Sequence, residues 1–244
     1  MKKTGMVLIC AISLAFGNDF DILQRLYDNK ENTRLIHTAD SLLANGMNSA
    51  WVKTYAGRAY ADLYQFDKAL PYLKSVYESP QDIPELMKAW NTLYLGKVYL
   101  FKKEKEKAVT LFKEVIETRA NKKVVALAKQ YMNLTSDSPF YKKWKRIETR
   151  NFNFLFPKRT KLRSPQQYAE MMQLAFDTIN AFFNAEIPGK IDFFVWNQYL
   201  KFHGFAIPEL LTVHTRYMQT RGHEMTHIIT HYAADTQSGI FLHL

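Results

Sequence analysis

Two different rhythms of apolar residues divide the chain. Up to about residue 135 the apolar positions recur at helical spacing, and they do so twice. Sliding the chain 39 residues along itself sets AWVKTYAGRAYADLYQFDKALPYLKSV, from Ala50, over AWNTLYLGKVYLFKKEKEKAVTLFKEV, from Ala89. Trp51 falls on Trp90, Gly57 on Gly96, Tyr60 on Tyr99, Ala69 on Ala108 and Val76 on Val115. This pattern predicts two helices that approach through small residues, with Leu73 in one copy and Phe112 in the other filling the space between. Residues 20–45 predict a less regular helical pair ahead of the copies. Asn121 to Asn133 (NKKVVALAKQYMN) predicts a closing helix with lysine on its exposed side.

After TSDSP, Thr135 to Pro139, the rhythm changes. Ile147 to Phe156 (IETRNFNFLF) alternates, with Phe152, Phe154 and Phe156 on one face, and predicts a single half-buried strand. Ser164 and Gln167 form a capping box with Pro165 in the first helical position. The helix they open carries a stripe of Tyr168, Met171, Met172, Ala175, Ile179, Phe182 and Phe183, read as core. Ile187-Pro-Gly189 then turns the chain into a second strand, Lys190 to Trp196, and short extended pieces are expected at Phe205–Ile207 and Leu211–His214. A last helix closes a small mixed α+β unit.

The doubled segments resemble the tetratricopeptide repeat, a pair of antiparallel helices that stacks into a solenoid; the period is longer than that family's 34 residues because the loop around Ser79 to Pro84 is extended. The resemblance implies an α-helical solenoid over residues 18–135, which packs as a scaffold or grips a peptide or protein partner.

The amino terminus adds a third pattern. A basic MKKTG, an apolar run of 11 residues (MVLICAISLAF) and the small residues Ala15 and Gly17 are those of a cleaved secretory signal over residues 1–17. The run is too short to span a bilayer, which takes about 20 residues. Export to a periplasmic or extracellular location is therefore expected, with no membrane span after cleavage. Cys10, the only cysteine, leaves with the signal, so the mature chain relies on its core or on a metal rather than on disulfides. The net charge of +10 falls to +8 without Lys2 and Lys3. The basic clusters KKWKR (Lys142–Arg146) and KRTKLR (Lys158–Arg163) read as a solvated face or as attraction to an anionic envelope surface, and nucleic acid is set aside.

Candidate chemistry lies in one stretch, RGHEMTHIITH, residues 221–231. On a helical wheel His223, Glu224, Thr226, His227, Thr230 and His231 gather on one side, with no lysine or arginine among them. Met225, Ile228, Ile229, Tyr232 and Ala233 gather on the other. His223 and His227 are one turn apart, so both imidazoles can reach one ion at the roughly 2.0–2.1 Å of a zinc–nitrogen bond. Glu224 stands beside them, outside the ligand set, where a carboxylate can take a proton from a zinc-acidified water. His231 lies about 12 Å along the axis from His223 and cannot share that ion. His37, His203 and His214 have no spacing to recommend them, although His214 is near enough in sequence to line the cleft.

With its strand–helix–strand lead-in, this element resembles the peptidase MA-like gluzincins, the thermolysin-type zinc metallopeptidases. The resemblance covers roughly residues 145–244 and implies a zincin-like domain over 140–244, Zn2+ as cofactor, His223 and His227 as ligands, Glu224 as catalytic base and a peptide substrate. It also implies a third ligand, a glutamate about twenty residues beyond the second histidine. Phe241 and Leu242 look like the start of that phrase, no acidic residue follows Asp235, and Asp235 and His243 are poor substitutes. The expectation is a chain truncated before its third ligand. The expected activity is zinc-dependent hydrolysis of peptide bonds. The alternative is a non-catalytic envelope interaction scaffold with a vestigial metallopeptidase half, and a metal-storage role comes third.

Overall fold

The structure, a computed structural model, describes residues 19–79, 83–118, 120–197, 204–217 and 222–233. The signal segment, Cys10, His203, Asp235, Phe241, Leu242 and His243 lie outside the described residues. The chain forms two compact units, Met1–Tyr131 and Met132–Leu244.

The first unit is helical. Its elements are α1 (residues 19–28), α2 (Asn32–Ala44), α3 (Ala50–Asp62), α4 (Phe66–Tyr77), α5 (Glu85–Phe101), α6 (Lys105–Thr118) and α7 (Lys122–Met132). The 39-residue offset carries α3 onto α5 and α4 onto α6, and the small residues act where the pattern put them. A Cβ built on Gly57 would lie 2.6 Å from Leu73 Cγ, and one on Gly96 would lie 2.6 Å from Phe112 Cε1. Real side chains do not approach so closely, so each glycine admits the large residue of the helix that follows. Leu73 and Phe112 are fully buried, as are Ala69 and Ala108. A buried polar link adds to this packing: Asn91 donates to the Leu73 carbonyl at 2.9 Å and accepts from Thr54 at 3.2 Å, joining α3, α4 and α5. In α7, Lys122, Lys123 and Lys129 face water.

The second unit is a small mixed sheet with helices. Its strands are β1 (Lys145–Glu148), β2 (Phe152–Phe156), β3 (Ile191–Trp196), β4 (Gly204–Ile207) and β5 (Thr212–Arg216), and its helices are α8 (Pro165–Phe183) and α9 (His223–Tyr232). Among the described residues the sheet has five strands in the order β1-β2-β3-β5-β4. The central pairs β2–β3 and β3–β5 are parallel, and the outer pairs β1–β2 and β4–β5 are antiparallel. Parallel neighbours need a crossover, and α8 supplies it between β2 and β3.

Two expectations fail here. Ile147–Phe156 is not one strand but a tight hairpin, in which Thr149 N–H bonds to the Phe152 carbonyl at 2.9 Å. The polar run Thr149-Arg-Asn151 turns the chain, and alternation across it is the sum of two short strands. Nor is the sheet half-buried. Phe152, Phe154 and Phe156 pack with Phe193, Val195 and Val213 beneath α8 and α9, whereas Leu155 and Phe194 pack with Tyr141 and Trp144 on the opposite face. An aromatic floor on that second face removes it from water.

Of the capping box on α8, the structure shows one half: Ser164 Oγ accepts from Gln167 N–H at 3.3 Å. Its stripe is narrower than expected. Tyr168, Met172 and Phe176 are buried, but Met171 is 39% and Phe182 84% exposed. At 100° per residue those two stand to one side of the buried line, beyond the reach of the sheet.

Candidate metal centre

Helix α9 is seated by its apolar side. Met225, Ile228 and Ile229 are fully buried in the cluster formed by the strands and α8, and Ala233 is nearly so. At the far end the Tyr232 hydroxyl donates to the Pro208 carbonyl at 3.1 Å. Its start is set by Gly222, which holds a left-handed φ of 86° that favours glycine. A Cβ there would also stand 3.1 Å from Ile179 Cδ1 on α8. Sequence reasoning passed over Gly222; its signal was a glycine placed directly before the first helical residue.

The seating turns three imidazoles outward. His223, His227 and His231 are exposed. The rings of His223 and His227 lie 5.2 Å apart between centroids, at 87° to each other. Two imidazoles on a tetrahedral zinc, with nitrogens at about 2.0–2.1 Å, place their centroids about 5.2 Å apart. No described residue holds either ring in a hydrogen bond. His231 turns its ring edge to Tyr232, 4.8 Å away. The two threonines on this side spend their hydroxyls on their own helix, Thr226 to the Gly222 carbonyl and Thr230 to that of Thr226, each at 2.9 Å. Such back-bonding leaves the histidines, among the described residues, as the outward-facing groups of this side without a hydrogen bond.

Glu224 departs from the wheel. It was placed with the histidines, yet it is only 7% exposed. At 100° from His223 and 40° from Ile228 it stands on the border between the two sides, and the packing of Ile228 draws it inward. It is engaged in an interaction within the fold.

The donor set fits a zinc ion as far as two ligands go. Among the described residues no group of three His, Cys, Asp or Glu side chains could hold a metal. The third ligand that the resemblance implies is not among the described residues.

The other candidates separate cleanly. His37 is exposed on α2. His214 does not line a cleft: it is 3% exposed on β5, stacked between Phe194 at 4.3 Å and Phe205 at 4.6 Å. Its Nδ1 accepts from Trp196 Nε1 at 3.1 Å, so the neutral ring carries its proton on Nε2, which is buried without a partner. Burial pushes its pKa down to about 3. Set beside other proteins, the chain matches no family model and no curated protein.

Proposed function

We propose that the chain is an exported zinc-dependent metallopeptidase, with a tetratricopeptide-type solenoid ahead of a gluzincin-like half, that cleaves peptide bonds. The observation that carries this reading is the pair His223 and His227: exposed, hydrogen-bonded to no described residue and 5.2 Å apart on a helix pinned by its opposite side. A histidine pair serving only to fold the protein would be expected to bond to its neighbours.

His223 and His227 would hold the ion, with a third ligand drawn from beyond residue 233. Zinc, when bound, supplies Lewis acidity and an acidified water at neutral pH. Glu224 would take a proton onto a carboxylate oxygen and return it to the leaving amine nitrogen, a transfer worth about 10²–10⁴-fold in rate. Its place one residue from His223 suits that task. β4, one of the two edge strands of the sheet among the described residues, packs against α9. An outer strand beside the histidine helix is where an extended peptide would lie to present a carbonyl.

Elemental analysis and a peptide-cleavage assay test this together. The expected result is about one zinc per chain, lost in H223A and H227A, with hydrolysis at least a hundredfold lower in E224Q while its zinc is retained. Protein that takes up no more zinc than the H223A/H227A double variant sinks the reading.

A non-catalytic interaction role is the second reading, favoured by the lack of a third donor beside the pair among the described residues. Retained zinc with no hydrolysis in the unaltered protein would select it.

A further inference from the structure

Two basic runs of the second unit take no part in the histidine site, and the sheet brings them together. Lys145, the first residue of β1, pairs with Phe156, the last of β2. Lys142 and Lys143 therefore enter the hairpin at the end of the sheet where Lys158, Arg159 and Lys161 leave it. The second run is also tied to the end of β3. Lys161 N–H donates to Asn197 Oδ1 at 2.7 Å, and the Asn197 side-chain amide donates to the Arg159 carbonyl. These lysines and Arg159 are exposed, and none is ion-paired among the described residues. Between Phe140 and Ser164 the one acid is Glu148, at the other end of β1, where it pairs with Lys190 at 3.0 Å. Asp137, just ahead of that span, offsets a single charge.

Aromatic rings gather at the same end. Trp144 precedes β1 and Trp196 closes β3, with their centroids 4.9 Å apart, edge to face. Phe140 rests against both, at 6.1 and 5.9 Å, yet it is 53% exposed. Tyr141, fully buried, stands 5.1 Å from Phe140 and at 89° to it. One ring therefore projects into water, two residues from Lys142, and the others are packed into the floor beneath it. Binding a single-stranded nucleic acid takes a row of free ring faces for successive bases, and this floor does not offer one. A lone apolar projection with tryptophans at its base and lysines around it matches a membrane interface instead. There an apolar ring enters the acyl boundary, indoles sit at headgroup level and ammonium groups meet phosphates.

We propose that this end of the sheet docks the protein on a bilayer carrying anionic phospholipid, with Phe140 entering the interface and the two basic runs held at the headgroups. Each basic residue near such a surface tightens binding about fivefold. No described helix is long and apolar enough to cross a membrane, so this attachment is peripheral. It does not depend on the histidine pair.

Co-sedimentation of the full chain with vesicles provides the test, comparing phosphatidylcholine alone with phosphatidylcholine containing phosphatidylglycerol. Binding at least about tenfold tighter to the anionic vesicles is expected. K142Q/K143Q should weaken it about twentyfold, and F140S about fivefold. K122Q/K123Q removes the same charge from exposed positions of α7 and should change it by no more than about threefold. F140W gives a local readout: on anionic vesicles its emission should move to the blue and be quenched by brominated lipid more strongly than that of the parent protein. Equal binding to both kinds of vesicle, which needs no variant to observe, overturns the proposal. So does a loss in K142Q/K143Q no larger than that in K122Q/K123Q, or F140W emission that brominated lipid leaves unchanged. Tighter binding to a single-stranded oligonucleotide than to the anionic vesicles, lost in F140S, would assign the face to nucleic acid and overturn it as well.

Discussion

The helical unit states its main contact twice, and the sheet unit states each of its contacts once. Gly57 receives Leu73, and 39 residues later Gly96 receives Phe112, the same fit made with a different side chain. In the sheet, Phe152 meets Ile191 and Phe193 meets Val213 across long crossovers, and no second copy shows what could vary. The repeat thus reveals its own tolerance, since leucine and phenylalanine both satisfy one position. The sheet unit reveals instead where it has no slack, as at His214, a polar ring walled in by aromatics.

The comparison breaks hardest at His214. Its folded pKa of about 3 lies below the ordinary histidine value near 6.5, so the unfolded chain binds the proton first. The stability tied to the neutral ring is intact above pH 6.5 and is lost as pH falls from there towards 3, by about 1.4 kcal/mol per pH unit. At pH 4.5 that amounts to about 2.7 kcal/mol. Urea titrations of the unaltered protein and H214F at pH 7 and 4.5 should show a shallower loss in the variant; equal losses would remove His214 as the cause. The next largest effect lies in the repeat. G96A should destabilise by about 1–3 kcal/mol, because its methyl would meet Phe112 where no side chain fits. The double variant G96A/F112L, which borrows the partner that Gly57 has, should recover part of that loss in thermal melts. No recovery would mean that the two copies do not share one packing rule. The smallest effect is expected at the α8 cap. S164A should cost about 1 kcal/mol through loss of the bond to Gln167 N–H, measured by the same denaturant titration.

What could be read in advance follows the same divide. The helices of the first unit declared themselves through spacing, because a contact repeated at fixed offset is visible without knowing its partner. The Ser164 cap was legible because capping is local chemistry. The β1–β2 hairpin was not, since Thr149-Arg-Asn151 has no glycine or proline to mark a turn and the phenylalanines on either side keep alternating. The exposure of Met171 and Phe182 depends on how wide a strip of α8 the sheet covers, which is a tertiary quantity. At the site, the outward pair His223 and His227 was visible on the wheel, but the burial of Glu224 was not, because a residue on the border goes wherever its neighbours pull it. Arg58 gave no signal at all: its surroundings come from four helices, and only their assembly shows an arginine held among rings and paired with no described carboxylate.

Gly222 carries one more implication. Between the first turn of α9 and the C-terminal part of α8 it keeps the two helices close, since a side chain there would press on Ile179 Cδ1 at 3.1 Å. The imidazole pair begins on the very next residue, so its placement follows from that joint. Transplanting the eleven-residue stretch into another scaffold would carry over the ligands without their alignment; Ile179 and the helix that bears it would have to travel too.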